Sequence, residues 1–118
     1  MATTTASDIP VASSTYLKAV KHRRSVYGVT DNISVSDDRI LEIVNEVIQT
    51  MPSSWNSQST RILVTLGKEH KKLWDTVIAS AKPFVLETQG EGTWKRNKDR
   101  FDSFRAAYGT VCIFLPVS

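Results

Sequence analysis

Residues 36–66 read SDDRILEIVNEVIQTMPSSWNSQSTRILVTL, and this stretch predicts a helix, a polar loop and a strand in succession. Ser36 precedes two acidic residues, and apolar side chains then recur every three or four positions, which predicts a capped amphipathic helix over 37–50. The residue before a proline disfavours the helical conformation, so this helix should end before Pro52. A polar loop follows, and the β-branched and aliphatic run 60–66 predicts a strand.

The N-terminal end is predicted to be a polar tail followed by a short helix. Residues 1–13 are small and polar, and we expect them to be disordered, with 14–118 forming part of a single domain. A helix is predicted over 14–23, with Ser13 or Ser14 as its N-cap. Its expected buried side consists of Tyr16, Leu17, Ala19 and Val20.

Two more helices and one more strand are predicted downstream. Apolar spacing predicts a helix over 68–82, and a charged helix with aromatic residues on one side is predicted over 94–107. Proline and glycine residues indicate an irregular segment over 83–93. The run 110–115 predicts a second, buried strand. These elements indicate an α/β or α+β layered domain. Its two predicted strands form only a small sheet, because a sheet usually has about 4–6 strands.

Composition places the chain among soluble globular domains. It has 118 residues, of which 41% are hydrophobic and 23% charged. No apolar run approaches the roughly 20 residues that span a bilayer, and the polar N-terminal residues predict no secretory signal. Cys112 is the single cysteine, so neither an intrachain disulfide nor a thiolate metal cluster is expected. These features favour a reducing compartment and no membrane partner; the expected location is the cytoplasm, with the nucleus as an additional compartment.

The positive charge is concentrated in one short segment. The formal net charge is +3, but the basic residues of 21–24 are followed by five acidic residues within 31–50. A local cluster suits one phosphate or carboxylate better than a polyanion, so we expect no nucleic-acid partner. A small nucleic-acid binder that uses residues 21–24 is the weaker alternative, and steep salt dependence of binding would distinguish it.

The first candidate binding group is Arg23-Arg24-Ser25, at the end of the first predicted helix. Arginine makes bidentate, charge-assisted hydrogen bonds, and the serine adds a neutral donor, so the three residues can cradle a phosphate. The alternative is that these basic residues complement the dipole at the C-terminal end of the helix.

The second candidate group is the loop Pro52-Ser53-Ser54-Trp55-Asn56-Ser57-Gln58. Its hydroxyls and amides provide donors and acceptors, which suit the polar edge of a heterocycle. The alternative is an ordinary connector, since Ser, Pro and Asn are common turn residues. A simple turn, however, requires neither Gln58 nor an exposed Trp55.

No catalytic side chain or metal site is predicted. His22 and His70 lack partners at metal-ligand spacing, and both are expected at the surface. Cys112 lies within an apolar strand and is interpreted as buried packing. The aromatic residues of 94–107 are interpreted as one side of a helix, with a substrate-channel wall as the alternative.

Together, the two groups resemble the nitroreductase family, and most closely its fungal, fatty-acid-repression-mutant-like branch. The resemblance covers residues 15–115 and rests on the order Arg-Arg-Ser, capped helix, Pro-Ser-Ser-x-Asn-x-Gln and strand. Ser59, in place of a proline after Gln58, agrees with the fungal branch. Tyr27 departs from the family, many of whose members have a basic residue there.

The resemblance implies an α+β fold of layered α/β/α type with a central antiparallel or mixed sheet, incomplete in this chain. It implies an FMN-dependent oxidoreductase that passes a hydride from NAD(P)H to a nitroaromatic or quinone, with a small aromatic substrate, a homodimeric assembly and a link to oxidative stress. The flavin performs the redox chemistry in such enzymes.

The resemblance also implies the site residues. Arg23 and Ser25 would hold the phosphate and ribityl end of FMN, with Arg24 adjacent. The edge of the flavin ring would be lined, from the other protomer, by Pro52, Ser53, Ser54 and Asn56. Gln58 would support that loop.

The alternative function is a truncated, non-catalytic nitroreductase-like fragment that acts as a binding or regulatory module. Family domains are considerably longer than this chain, and residues 115–118 fit the family poorly. We therefore hypothesise that the chain is truncated, and an intact native mass of 13.2 kDa would overturn that hypothesis.

Overall fold

The computed structural model describes residues 12–115, and it confirms the α+β class. The predicted tail lies almost wholly outside the described residues. In chain order the elements are α1 (Ser13–His22), α2 (Asp37–Thr50), a 3-10 turn (Ser54–Asn56), β1 (Arg61–Leu66), α3 (Gly67–Gln89), α4 (Glu91–Arg105) and β2 (Gly109–Phe114).

Helix α2 forms as its sequence predicts. The Ser36 hydroxyl accepts a hydrogen bond from the Arg39 amide at 3.2 Å, which satisfies one of the unpaired donors of the first turn. Two aspartates in that turn complement the helix dipole. The backbone becomes extended at Met51, directly before Pro52, so the predicted end is also confirmed. The half-buried stripe consists of Ile40, Val44 and Ile48.

Strands β1 and β2 pair antiparallel into a two-stranded sheet within the described residues. The register sets Arg61 opposite Phe114 at one end and Leu66 opposite Gly109 at the other. A Cβ atom at Gly109 would lie 2.9 Å from the carbonyl oxygen of Thr65, so this close approach requires glycine. Both predicted strands are therefore confirmed to within one residue.

The prediction of an irregular segment over 83–93 is wrong. Helix α3 continues through Pro83 as far as Gln89, and α4 begins at Glu91. Gly90, with φ of 81°, is the single residue that separates the two helices. An interior proline loses one helical hydrogen bond and is costly in isolation, but α3 and α4 pack along each other as a helical hairpin, and this packing offsets the loss.

Aromatic side chains hold the two helices of the hairpin together. The ring of Trp74 on α3 lies 6.1 Å from that of Phe101 and 5.3 Å from that of Phe104, both on α4. Such tilted pairs stabilise packing beyond the area that they bury. The side chains of Val85 on α3 and Trp94 on α4 are also buried. The aromatic side predicted for the charged helix is therefore its packing face.

The prediction that His70 lies at the surface is wrong, whereas His22 is exposed as expected. The His70 ring has no exposed area, and both of its nitrogens are hydrogen-bonded. Nε2 lies 3.2 Å from the carbonyl oxygen of Arg105, which can only accept, so Nε2 carries the proton. Nδ1 must then accept from the Thr110 hydroxyl at 2.9 Å.

Thr110 also serves a second partner. Its hydroxyl oxygen accepts a hydrogen bond from the Trp74 indole at 3.0 Å. One hydroxyl on β2 therefore pairs two side chains of α3, and through His70 it is connected to the end of α4. Polar groups removed from water need such partners, so this network fixes the hairpin against the sheet.

Two predictions of burial are wrong because the elements concerned lack neighbours within residues 12–115. Helix α1 packs against no other helix or strand there, so its predicted buried side is exposed. Its N-cap is Ala12, without a side-chain hydrogen bond, rather than a serine. Strand β2 has one neighbouring strand, so Cys112 is half-buried and Ile113 is 65% exposed.

A side-chain hydrogen bond ties the start of α2 to the approach to β2. The Tyr108 hydroxyl donates to Oδ1 of Asp37 at 2.7 Å, across 71 residues of sequence. This hydrogen bond to a carboxylate raises the pKa of Tyr108, because it stabilises the protonated phenol. The tie therefore depends on Tyr108 remaining neutral.

Thr110→Val should lower the free energy of unfolding by about 1–3 kcal/mol, because it leaves the Trp74 donor and the His70 acceptor without partners while preserving the side-chain shape. Urea unfolding followed by circular dichroism would measure this. The matched control is Thr76→Val on α3, whose exposed hydroxyl bonds only the carbonyl of Lys72 in its own helix. Equal stability of the two variants would contradict the structural role of the network.

The Tyr108–Asp37 hydrogen bond should contribute to stability below the usual tyrosine pKa of about 10, and the contribution should disappear as pH rises through the higher folded-state value. In Asp37→Asn the pKa of Tyr108 should fall, since an uncharged acceptor stabilises the phenol less. An alkaline titration of the labelled Tyr108 ring by NMR would measure the change. Asp38→Asn, which alters the neighbouring carboxylate, should leave the Tyr108 value unchanged.

Candidate functional site

Arg23 and Ser25 lie together where the chain leaves α1. The Arg23 amide closes the helix by donating to Ala19, and the backbone at Arg23 is extended. Its Nη1 donates to the Ser25 hydroxyl at 3.2 Å, and both residues are exposed. A guanidinium has five N–H donors, so this pair can still bind an anion bidentately.

Arg24 points elsewhere. Its Nη1 donates to the carbonyl of Lys21 at 2.6 Å and to that of Arg23 at 2.8 Å. The Lys21 carbonyl is one of the unpaired acceptors at the end of α1, so Arg24 caps the helix. The two interpretations of the Arg-Arg-Ser segment therefore apply to different residues: Arg24 completes the helix, and Arg23 with Ser25 remains available to a ligand.

The second candidate group is a tightly folded loop. The Ser53 carbonyl accepts from the Asn56 amide at 3.0 Å, and the Ser53 hydroxyl accepts from the Gln58 amide at 3.0 Å. The hydroxyls of Ser57 and Ser59 lie 3.1 Å apart. These bonds fix the loop ends, so the loop presents its tip in a defined conformation.

The tip of this loop has an unusual backbone. Trp55, Asn56 and Gln58 have φ values of 56°, 52° and 50°, the left-handed region that non-glycine residues rarely adopt. The Trp55 side chain is 99% exposed, as the sequence indicated for this residue. Left-handed conformation at a bulky residue requires that the surrounding bonds hold it there.

The inner side of the loop borders an apolar groove between α2 and the sheet. The groove has a volume of about 640 Å³. Pro52, Ser53 and Gln58 line it, whereas Ser54 and Asn56 do not. Its other walls consist mainly of Ile43, Val44, Val47, Ile48, Ile62, Val111, Ile113 and Leu115. The predicted ring-edge residues therefore divide between an inner side and an outer tip.

Arg61 is a groove residue that the sequence analysis did not select. It follows Ser59 and Thr60 at the end of the loop, and its Nη1 donates to the carbonyls of Thr60 at 3.2 Å and Gln58 at 3.5 Å. The signal in the sequence was a charged residue at the start of an apolar strand. The strand prediction rested on the aliphatic residues that follow it, so Arg61 was not selected. It adds a cation to the lining of a mostly apolar groove.

The two candidate groups are not joined within one chain. No hydrogen bond or salt bridge connects Arg23 or Ser25 with the loop in the part of the chain that the structure describes.

Between residues 12 and 115 there is also no cluster of three side chains suited to a metal ion, and none of the helices there could cross a membrane. His70 and Cys112 lie in neither group.

The chain matches a known family over most of its length. The model of the nitroreductase family matches residues 20–115, and the chain belongs to this family. The predicted resemblance to the fungal branch of the family is confirmed by curated relatives from yeast.

Among curated proteins, the nitroreductase FRM2 of Saccharomyces cerevisiae is 32% identical over 102 residues, covering 84% of this chain and 47% of the relative. Among solved structures, nitroreductase CinD from Lactococcus lactis in complex with chloramphenicol is 27% identical with a TM-score of 0.66, covering 84% of this chain and 47% of that one. A nitroreductase from Saccharomyces cerevisiae is 28% identical with a TM-score of 0.67, covering 86% and 52%. The chain spans about half the length of these relatives.

Ser53→Ala should speed hydrogen exchange at the Gln58 amide by roughly tenfold, because a lost hydrogen bond of about 1.4 kcal/mol corresponds to that factor. Exchange measured by NMR would test this, and Ser53→Thr should restore protection. The matched control is Ser54→Ala, since the Ser54 hydroxyl bonds nothing within the described residues. Unchanged exchange at Gln58 in Ser53→Ala would mean that other contacts hold the loop.

Proposed function

We propose that this chain carries the phosphate-binding and ring-binding segments of an FMN-dependent oxidoreductase, which transfers a hydride from NAD(P)H to nitroaromatic or quinone-like acceptors. The observation that carries the proposal is the open Arg23–Ser25 pair followed, in the family's order, by the fixed polar loop. When bound, FMN supplies the redox chemistry, so the chain needs to bind and orient it.

Arg23 and Ser25 fit the phosphate end of the cofactor. Their side chains lie 3.2 Å apart and both are exposed, so a phosphate can take one contact from each. A guanidinium matches a phosphate geometrically and remains charged at any physiological pH. Arg24 is proposed to act beside them by completing α1, which holds the following residues in place.

The loop fits the polar edge of the flavin ring. Ser54 and Asn56 present a hydroxyl and an amide at its tip, and Pro52 sets its start. Ser53 accepts from Gln58 through its oxygen, and its hydroxyl hydrogen remains a donor. Gln58 is therefore proposed to support the loop. Hydrogen bonds from these groups would orient the ring and tune its potential.

We further propose that the phosphate-binding pair and the loop meet across a homodimer interface. Within one chain they are not joined in the described residues, and the apolar residues of α1 are exposed. A second copy can supply the loop to the pair and cover these residues at the same time.

A small aromatic acceptor is the proposed substrate class. CinD has been solved with chloramphenicol, nicotinic acid and 4-nitrophenol, each of which contains an aromatic ring. A role in oxidative stress and residence in the cytoplasm are proposed on the same family basis.

A non-catalytic binding module is the second candidate function. It needs only the same two groups, the Arg23–Ser25 pair and the polar loop, to bind the cofactor. The two functions differ in a simple measurement: an enzyme oxidises NAD(P)H in the presence of a nitroaromatic, whereas a binding module takes up FMN and leaves NAD(P)H unchanged.

Titration of FMN into the 118-residue chain should show saturable quenching of flavin fluorescence near one flavin per chain. Arg23→Ala should weaken this binding by about 1.5–3 kcal/mol, because it removes a charge-assisted hydrogen bond to phosphate. Arg23→Lys should recover part of the loss, since it restores the charge without the fork.

The matched control is Arg100→Ala, which removes an exposed arginine from α4 and should leave the FMN affinity unchanged. An equal loss in the two variants would indicate a general charge effect. An FMN affinity that Arg23→Ala leaves intact would remove Arg23 from the site, and steep weakening with salt would favour a polyanion site instead.

A further inference from the structure

We propose that Ser25 is a phosphorylation site, and that a phosphate on its hydroxyl binds Arg23 and thereby closes the anion site to FMN. The inference rests on the proposed function, since it concerns regulation of the same phosphate-binding pair. Three observations carry it: the exposure of Ser25 on irregular backbone, the charge of the residues before it and the position of the Arg23 guanidinium.

Ser25 lies on backbone that a second enzyme can reach. It is exposed, and residues 24–27 follow the end of α1 without forming a helix or a strand. These residues make no backbone-to-backbone hydrogen bond within the described part of the chain. A kinase must bring the accepting hydroxyl to the end of a bound nucleoside triphosphate. Segment 24–27 can move into such a site without breaking bonds of its own fold.

The residues before Ser25 have a charge pattern that a kinase can select. Three of the four preceding residues are positively charged: Lys21, Arg23 and Arg24. Residues 9–30 contain no acidic residue, so a serine kinase with an acidic peptide-binding groove is complementary to this segment. Other exposed serines lack the pattern, since Ser36 precedes two aspartates and Ser103 follows one.

The guanidinium of Arg23 is already placed for the modified side chain. Its Nη1 lies 3.2 Å from the Ser25 hydroxyl oxygen, and it forms no salt bridge among residues 12–115. A phosphoserine carries a charge of about −1.5 to −2 and three strong acceptor oxygens, so it pairs with a neighbouring arginine. Arg24 is directed at the carbonyl of Lys21, so the pairing falls to Arg23.

Phosphorylation replaces the phosphate of the cofactor with one attached to the protein. The γ-phosphoryl group of ATP forms a bond to the Ser25 oxygen, and its bond to the β-phosphate oxygen breaks. ADP leaves, and the hydroxyl proton passes to a carboxylate of the kinase. The Ser25 donor is then lost, Arg23 is occupied and a like charge repels FMN. The cofactor-free chain is the form that reacts, because bound FMN covers the same hydroxyl.

The FMN affinity of the full chain phosphorylated at Ser25 tests this closure. Phosphoserine is incorporated genetically, and the chain is titrated with FMN and, separately, with riboflavin, which lacks the phosphate. Phosphorylation should weaken FMN binding about thirtyfold or more, because both phosphate contacts are lost, and change riboflavin binding less than about twofold. Ser25→Ala, which removes one neutral hydrogen bond, should weaken FMN binding about two- to tenfold.

The matched control carries its phosphate at Ser80, which is exposed on α3 and has uncharged residues one helical turn to either side. It should bind FMN as the unmodified chain does. Equal weakening in the two modified chains would show a general charge effect and overturn the inference. Normal FMN affinity in the chain phosphorylated at Ser25 also overturns it, and in both cases the proposed function stands. An unmodified chain that takes up no FMN overturns both proposals.

Phosphorus NMR tests the pairing with Arg23 in the absence of FMN. A guanidinium beside the phosphate favours the dianion, so the second pKa of the phosphate at Ser25 should lie below that of the phosphate at Ser80. Arg23→Gln should remove most of this difference, because it retains hydrogen bonding without the charge. A phosphate at Ser25 that titrates like the one at Ser80 overturns the inference.

A kinase reaction tests access to the hydroxyl. The unmodified chain is incubated with ATP and a serine kinase that selects arginine on the N-terminal side of its target, and the modified residue is located by mass spectrometry. We expect one phosphate on Ser25 and none in Ser25→Ala. Saturating FMN should slow the reaction. An unmodified Ser25, or a rate that FMN leaves unchanged, overturns the inference.

Discussion

The hydroxyl of Thr110 joins the sheet to the helical hairpin of α3 and α4. It donates to the buried ring of His70 and accepts from the indole of Trp74, so a single atom on β2 satisfies two side chains of α3. His70 in turn bonds the carbonyl of Arg105 at the end of α4. Few side chains are buried in the described part of the chain, so apolar burial alone defines the sheet position weakly. Directional hydrogen bonds supply what a small core lacks.

The polar loop and its groove take their position from this junction. Once the hairpin holds β2, antiparallel pairing places β1, and the polar loop must enter from the end of the sheet where Arg61 lies opposite Phe114. The hydrogen bond between Tyr108 and Asp37 brings the start of α2 to the other end of the sheet. Helix α2 therefore runs beside the strands, and the groove that the loop borders is the space between them.

Elements determined by local chemistry were predictable from the sequence, and those determined by packing were not. The Ser36 cap and the extended residue before Pro52 act within a few residues, so α2 was predicted with its observed bounds. Helix α3 continues past Pro83 because α4 packs against it, and no local signal reports that contact. The burial of His70 was likewise hidden, since helical spacing identifies apolar faces and not a polar side chain whose partners lie 35 and 40 residues away.

The candidate site shows the same division at the level of single residues. The order of its motifs could be predicted from the sequence. The different contacts that Arg23 and Arg24 make, however, follow from backbone geometry. Where the chain becomes extended at Arg23, alternate residues project to the same side, which brings Arg23 and Ser25 together and turns Arg24 away. Arg24 then meets the carbonyl of Lys21, which α1 leaves unpaired. The completed helix end thus positions Arg23 and Ser25, because the capped helix fixes the point at which the chain becomes extended.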